Sequence, residues 1–194
     1  MKLSLDVAIP SPTAWVEKVL EHFDTFLQDH ADCERKASAM ALSMVAKYPD
    51  RNEIIPDLID TALEELDHFK QVFEIMRSRG VSLLSSMPED PYIKSLLSMM
   101  KTPVMPRFLD RLLIGSLVEM RGAERFRLIE ENLTDPELKR FYKMLWVSEA
   151  KHGNIYVKMA LNYFPSEEVY ARLAWWVEQE GNIIQGLPIR AALH

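Results

Sequence analysis

The tetrapeptides Glu65-Leu66-Asp67-His68 and Glu149-Ala150-Lys151-His152 share one spacing, a carboxylate followed three residues later by an imidazole. On a helix with 3.6 residues per turn, positions i and i+3 lie on nearly one face about a turn apart, so each motif aims both groups at one point. A single copy carries little weight, because 18 Glu and 5 His in 194 residues give this spacing roughly 0.5 times by chance. What decides the reading is whether each motif has a partner carboxylate at the same height on a neighbouring helix.

The sequence around the motifs is helical throughout. Ser11-Pro12 is a helix start, a capping hydroxyl followed by proline at the first helical position. From there Trp15, Val19, Leu20, Phe23, Phe26 and Leu27, then Cys33, Ala37, Met40, Ala41, Met44 and Val45, predict one long helix to about Tyr48. Pro49-Asp50-Arg51-Asn52 forms a turn. A second helix is expected from about Glu53, with Pro56 in its first turn and Leu58, Ile59, Ala62, Leu66, Phe69, Val72, Phe73 and Met76 inward, until Gly80 ends it. Pro88, Pro91, Pro103 and Pro106 then break the pattern, leaving a short helical piece near Tyr92 to Met100 inside a long crossover.

The third helix is expected from about Pro106 to Asn132, with Leu109, Leu112, Leu113, Ser116, Leu117, Met120, Ala123 and Phe126 inward. The fourth follows from about Pro136 to Phe164, burying Phe141, Leu145, Val147 and Ile155, and a last helix from about Glu167 to Ile184 carries Trp175 and Trp176. Two helical hairpins joined by one long connection make an all-α, ferritin-like four-helix bundle with an extra C-terminal helix, read as a single domain over 1–194.

Antiparallel neighbours place residues equidistant from their turn at one height, since each residue rises 1.5 Å. With the first turn centred near Asp50, Glu65 is level with a residue near position 35, and Glu34 is there. With the second centred near Thr134, Glu149 is level with position 119, which is Glu119. Glu34, Glu65, His68, Glu119, Glu149 and His152 therefore form the donor set that holds two iron or manganese ions in a bundle core. Glu124 competes with Glu119, but five residues displace it about 7.5 Å along the helix and roughly 140° around it. His30, one turn before Glu34, is either a neighbour of the ligands or an ordinary hydrogen-bonded histidine. Cys33 reads as a small packing residue.

Composition sets outer bounds. A net charge of -6 argues against a strongly basic nucleic-acid-binding protein. The lone Cys33 excludes an intramolecular disulfide and any Cys-x-x-Cys metal site, which favours a reducing compartment. Met1-Lys2-Leu3-Ser4-Leu5-Asp6 lacks the apolar run of a signal peptide, and no stretch approaches the ~18 apolar residues of a membrane span, so a cytoplasmic protein is expected.

Four segments carry a resemblance. They are Asp29-His30-Ala31-Asp32-Cys33-Glu34-Arg35-Lys36-Ala37, Glu64-Glu65-Leu66-Asp67-His68-Phe69-Lys70-Gln71-Val72, Glu119-Met120-Arg121-Gly122-Ala123-Glu124-Arg125-Phe126, and Phe141-Tyr142-Lys143 through Ser148-Glu149-Ala150-Lys151-His152. In order and interval, over about positions 10 to 165, the chain resembles the MiaE family of tRNA hydroxylases. The resemblance implies a non-haem di-iron monooxygenase that hydroxylates the isopentenyl group of 2-methylthio-N6-isopentenyladenosine in tRNA. Two electrons must come from outside, because no flavin or nicotinamide fingerprint is present, so a ferredoxin-like or reductase partner is expected. Arg121, Arg125, Arg127, Lys139, Arg140, Lys143, Lys151 and Lys158 are candidates for a phosphate-binding patch, although Glu130, Glu131 and Glu137 interleave with them. Two other readings use the same ligands: a ferritin-like oxidase acting on another small molecule, and iron oxidation for storage.

Overall fold

A computed structural model describes residues 2–86 and 89–194, all helix and connecting loop. Met1 and Pro88, which enter the sequence reading, lie outside the described residues. The helices are α1 (Thr13–Glu21), α2 (Phe23–Lys47), α3 (Ile55–Ser78), α4 (Pro91–Ser98), α5 (Val104–Asn132), α6 (Pro136–Leu161) and α7 (Ser166–Gly186). They fall into two compact units, one formed by Met1–Val16, Glu89–Ile189 and His194, the other by Glu17–Pro88 with Arg190–Leu193.

In the second of these, α2 and α3 pack as an antiparallel hairpin. Their connection is closed by Arg51 N–H to Tyr48 O at 3.1 Å and Ile54 N–H to Arg51 O at 3.1 Å. Pro56 sits in the first turn of α3, where its missing N–H costs nothing. At the other end, Val81 N–H reaches Met76 O at 2.9 Å and Gly80 N–H reaches Arg77 O at 3.1 Å. That pattern needs a left-handed residue between them, and Gly80 takes φ 72°. Phe26, Leu27, Ala41, Met44, Leu58, Val72 and Met76 fill the core.

The long first helix expected from the sequence is two helices. His22 leaves the helical region (φ -124°, ψ 46°), yet the ladder continues across it through His22 N–H to Lys18 O and Phe26 N–H to His22 O. Neither proline nor glycine causes the bend. The two sides are anchored separately: Trp15 is buried beneath the Arg125 guanidinium, 4.6 Å from its ring centroid, whereas Arg79 covers Phe23 and pairs with Asp24 at 2.7 Å. His22 stands between these two anchors, next to Phe23.

In the other unit α5 and α6 form the second antiparallel hairpin, with α7 against it and α4 against α7. The linker 133–135 is centred on Thr134, as the register argument requires. Asp135 caps α6 by accepting from Glu137 N–H at 2.8 Å and Leu138 N–H at 3.0 Å, with Pro136 at the start of the helix. The inward set expected for α5 is buried from Leu109 to Phe126.

Four residues expected inward are exposed instead. Ile59, Leu66 and Phe73 each follow by one position the buried Leu58, Glu65 and Val72, which turns them about 100° off the packed face. Val147 precedes Glu149 by two residues and is likewise turned outward. Periodicity offered two adjacent faces, and the buried one carries the carboxylates.

Candidate metal centre

Each hairpin brings three of the six expected ligands together. In α2 and α3, Glu34, Glu65 and His68 are all at most 5% exposed, and each offers a donor atom within 4.8 Å of the others. His68 Nδ1 stands 3.6 Å from Glu34 Oε2 and 3.6 Å from Glu65 Oε2. In α5 and α6, Glu119, Glu149 and His152 are at most 4% exposed, again with donor atoms within 4.8 Å of one another. His152 Nδ1 lies 3.9 Å from Glu149 Oε2.

The backbone explains why these side chains meet. One turn from Glu34, the Ser38 hydroxyl donates to Ala62 O on α3 at 2.8 Å; one turn from Glu119, the Ser116 hydroxyl donates to Gly153 O on α6 at 2.8 Å. Small residues let each helix pair approach closely beside its carboxylates. A Cβ on Gly153 would stand 2.8 Å from Met120 Sδ, so only glycine fits that approach without displacement.

The separations suit a cation better than hydrogen bonds. At 3.6–3.9 Å the imidazole and carboxylate atoms of each motif are too far apart to bond one another. Donors about 2.1 Å from a shared ion stand about 3.0–4.2 Å apart, which brackets them. Burying two carboxylates beside one imidazole in each hairpin is costly without a countercharge, and all the donors are the oxygen and nitrogen ligands that iron and manganese accept. The residues present therefore fit a metal centre.

Glu124, the competitor of Glu119, is engaged elsewhere: it accepts from Ser11 N–H at 2.7 Å and Ser11 Oγ at 2.8 Å, and pairs with Arg121 at 3.0 Å. His30 is fully buried with Nε2 2.7 Å from Glu34 Oε1. Burial, aided by His68, holds its imidazolium down to about 3, with Glu65 pulling the other way. The ring is thus neutral and donates from Nε2 to the Glu34 carboxylate. His30 is a buried, hydrogen-bonded histidine, and its partner is the carboxylate of Glu34, one of the expected donors. Cys33 is half-buried rather than enclosed, its Sγ 3.8 Å from Asp29 Oδ2.

The expected basic patch loses two members. Arg121 is fully buried, gripping Glu180 through Nε at 2.7 Å and Nη2 at 2.8 Å, and Arg125 is buried against Ser11 Oγ at 3.0 Å. Burial and the neighbouring Arg121 lower Arg125 to about 10. These arginines looked like surface charge because their partners lie on α7 and the N-terminal segment, far off in sequence. Lys143, Lys151 and Lys158 remain exposed on α6.

Two helical hairpins, each with a glutamate on its first helix and Glu-x-x-His on its second, joined by one long connection, define a ferritin-like all-α protein with donor clusters able to bind metal. A solved structure of a Synechococcus protein with aldehyde deformylating oxygenase activity superposes with a TM-score of 0.91 at 32% identity, covering 97% of this chain and 94% of its own. Within the ferritin-like class, residues 4–194 match the family described as tRNA-(MS[2]IO[6]A)-hydroxylase (MiaE), and the chain belongs to that family. The match reaches beyond positions 10–165 to take in α7. A tRNA 2-(methylsulfanyl)-N(6)-isopentenyladenosine(37) hydroxylase of Pseudomonas putida is 39% identical over 154 residues, 79% of this chain and 74% of that protein. One of the same name from Salmonella typhimurium is 26% identical over 90% of this chain and 82% of its own. Among the described residues no helix is long and apolar enough to cross a membrane.

Proposed function

We propose that this protein hydroxylates the isopentenyl group of 2-methylthio-N6-isopentenyladenosine in tRNA, working as one ferritin-like domain over residues 1–194. Glu34, Glu65, His68, Glu119, Glu149 and His152 hold a pair of iron ions. The observation that carries the reading is the gathering of two carboxylates and an imidazole in each hairpin of a chain that belongs to this family. When bound, such a metal pair supplies the dioxygen chemistry that an unactivated C–H bond demands.

The balance is one C–H bond, one dioxygen, two electrons and two protons giving one alcohol and one water. The electrons come from an external ferredoxin-like or reductase partner, since the sequence has no flavin or nicotinamide fingerprint. The chain's own contribution is positional. Phe126, Tyr142, Leu145 and Met120 are buried on the two helices that carry Glu119, Glu149 and His152, an apolar setting that keeps bulk water away. The neutral His30 orients the Glu34 carboxylate. The setting for this work is the cytoplasm.

A second reading, a ferritin-like oxygenase acting on another small molecule, draws on the Synechococcus neighbour and its aldehyde deformylating oxygenase activity. Nucleoside analysis of tRNA from a strain lacking the protein separates the two. Loss of the hydroxylated nucleoside with accumulation of its prenylated precursor supports the tRNA reading; an unchanged nucleoside profile removes it and leaves the second.

A further inference from the structure

Outside the donor cluster, the α2–α3 unit carries a cavity of about 410 Å³, within the roughly 300–1,000 Å³ range of small-ligand sites. Its wall includes Asp32, Arg35 and Lys36 from α2, Phe69 from α3, and Ser85 and Ser86 from the segment that follows. Leu83 and Leu84 complete an apolar side and are nearly half exposed.

The charge on this wall is uneven. Asp32 is buried and paired to both Arg35 and Lys36, whose side chains remain 56% and 51% exposed. Those contacts hold the Asp32 carboxyl below its ordinary range against the opposing effect of burial. Two cations against one carboxylate leave a positive rim on a chain whose net charge is -6. Hydroxyls and cations lining one cavity with an aromatic ring and leucines are the chemistry that receives a phosphodiester and a stacked base together. Gln28 fixes the rim by donating to Ser82 O at 2.7 Å.

Position on the helix narrows the occupant. Arg35 lies about 100° around α2 from Glu34, and Asp32 and Lys36 about 160° from it on either side. The cavity is therefore carried by the helices that hold Glu34, Glu65 and His68, but on a flank turned away from those donors. It cannot present an isopentenyl group to them.

We propose that this cavity binds a nucleotide of the tRNA anticodon loop adjacent to the modified one, with Phe69 as the stacking platform and Arg35 and Lys36 on its phosphate. The proposal rests on the tRNA reading above. It makes the site one of substrate anchoring, in which the protein takes affinity from a flanking nucleotide.

The test uses the metal-loaded full chain and an anticodon stem-loop RNA bearing the prenylated adenosine, with binding followed by fluorescence anisotropy across a salt series. Lys36→Gln, which leaves Arg35 on Asp32, weakens binding and reduces the log–log salt slope by about 0.7. Phe69→Ala weakens binding about 5- to 150-fold. Phe69→Leu keeps the apolar volume without the ring and serves if the alanine variant folds poorly. In all three the loss falls on KM and not on kcat, and metal content is retained. Wild-type binding matched by all three variants overturns the cavity assignment while leaving the tRNA reading intact. A wild-type protein that neither binds nor hydroxylates the RNA overturns the reading on which the assignment rests.

Discussion

His30 Nε2 stands 2.7 Å from Glu34 Oε1, one turn earlier on the same face of α2, with both side chains sealed from solvent. A neutral imidazole in that position fixes which carboxylate oxygen of Glu34 is occupied and leaves the other to turn toward His68, 3.6 Å away. Groups that orient a ligand in this way typically account for 10- to 100-fold in metal affinity. His30→Ala is expected to lower affinity for the metal by about that factor, and His30→Gln, which can still donate to Glu34, by less. Metal titration followed by absorbance checks this; an alanine variant with unchanged affinity would show that the contact serves packing alone.

Removing one of the proposed ligands outright is expected to have a larger effect. With three donors on each hairpin, Glu65→Ala or His152→Ala leaves one triad with two groups, too few to hold an ion in a fixed geometry. Both variants are expected to lose stoichiometric binding of two ions per chain while keeping their helix content. Elemental analysis beside circular dichroism decides the matter, and two ions retained in either variant would refute the ligand assignment.

The gathering of donors in each hairpin was legible because counting from a turn is a rigid operation: 1.5 Å per residue on both sides of Thr134 places Glu119 level with Glu149 whatever else the chain does. The same arithmetic could not find the bend at His22, since no proline or glycine stands there and the cause is tertiary, Arg79 holding Phe23 on one side and Arg125 holding Trp15 on the other. Nor could it separate the buried face of α3 from the adjacent one, because Glu65 and Leu66 both continue an i, i+3, i+4 pattern. Hydropathy favours leucine inward, and the structure instead buries the glutamate. The cavity beside Arg35 escaped notice for a related reason: Arg35-Lys36 reads as ordinary surface charge until the segment with Ser85 and Ser86 is brought against it.

Arg121 shows the cost of the same ambiguity on α5. Its guanidinium is enclosed by Glu180, Ser11, Glu124 and the Ile9 carbonyl, with the Tyr92 hydroxyl also on Glu180 at 3.3 Å. Breaking a buried ion pair by removing one partner strands the other charge and costs about 3–5 kcal/mol. Arg121→Ala is expected to lower unfolding free energy by about that amount, and Arg121→Ala with Glu180→Ala to lower it by less than the two single changes summed. Urea denaturation of the three variants measures the coupling; strictly additive losses would mean that the pair is not held as described.

The glycines of the second hairpin offer a sharper contrast, because alanine adds the same Cβ at each, Gly115 on α5 and Gly153 on α6. A Cβ at Gly115 would stand 2.9 Å from Tyr156 Cδ1 and 3.1 Å from its Cγ, the stiff base of a fully buried ring. At Gly153 the nearest atoms are Met120 Sδ at 2.8 Å and Cγ at 3.0 Å, part of an unbranched side chain that can turn aside. Alanine gains about 0.8–1.0 kcal/mol over glycine in a helix interior, while overpacking a core costs about 1–3 kcal/mol. The cost should win at Gly115, where the ring cannot yield, and roughly cancel the gain at Gly153. Gly115→Ala is therefore expected to destabilise the protein by about 1–2 kcal/mol and Gly153→Ala to leave stability nearly unchanged, as read from urea midpoints at constant m-value. Equal shifts in the two variants would mean that Tyr156 is no stiffer an obstacle than Met120.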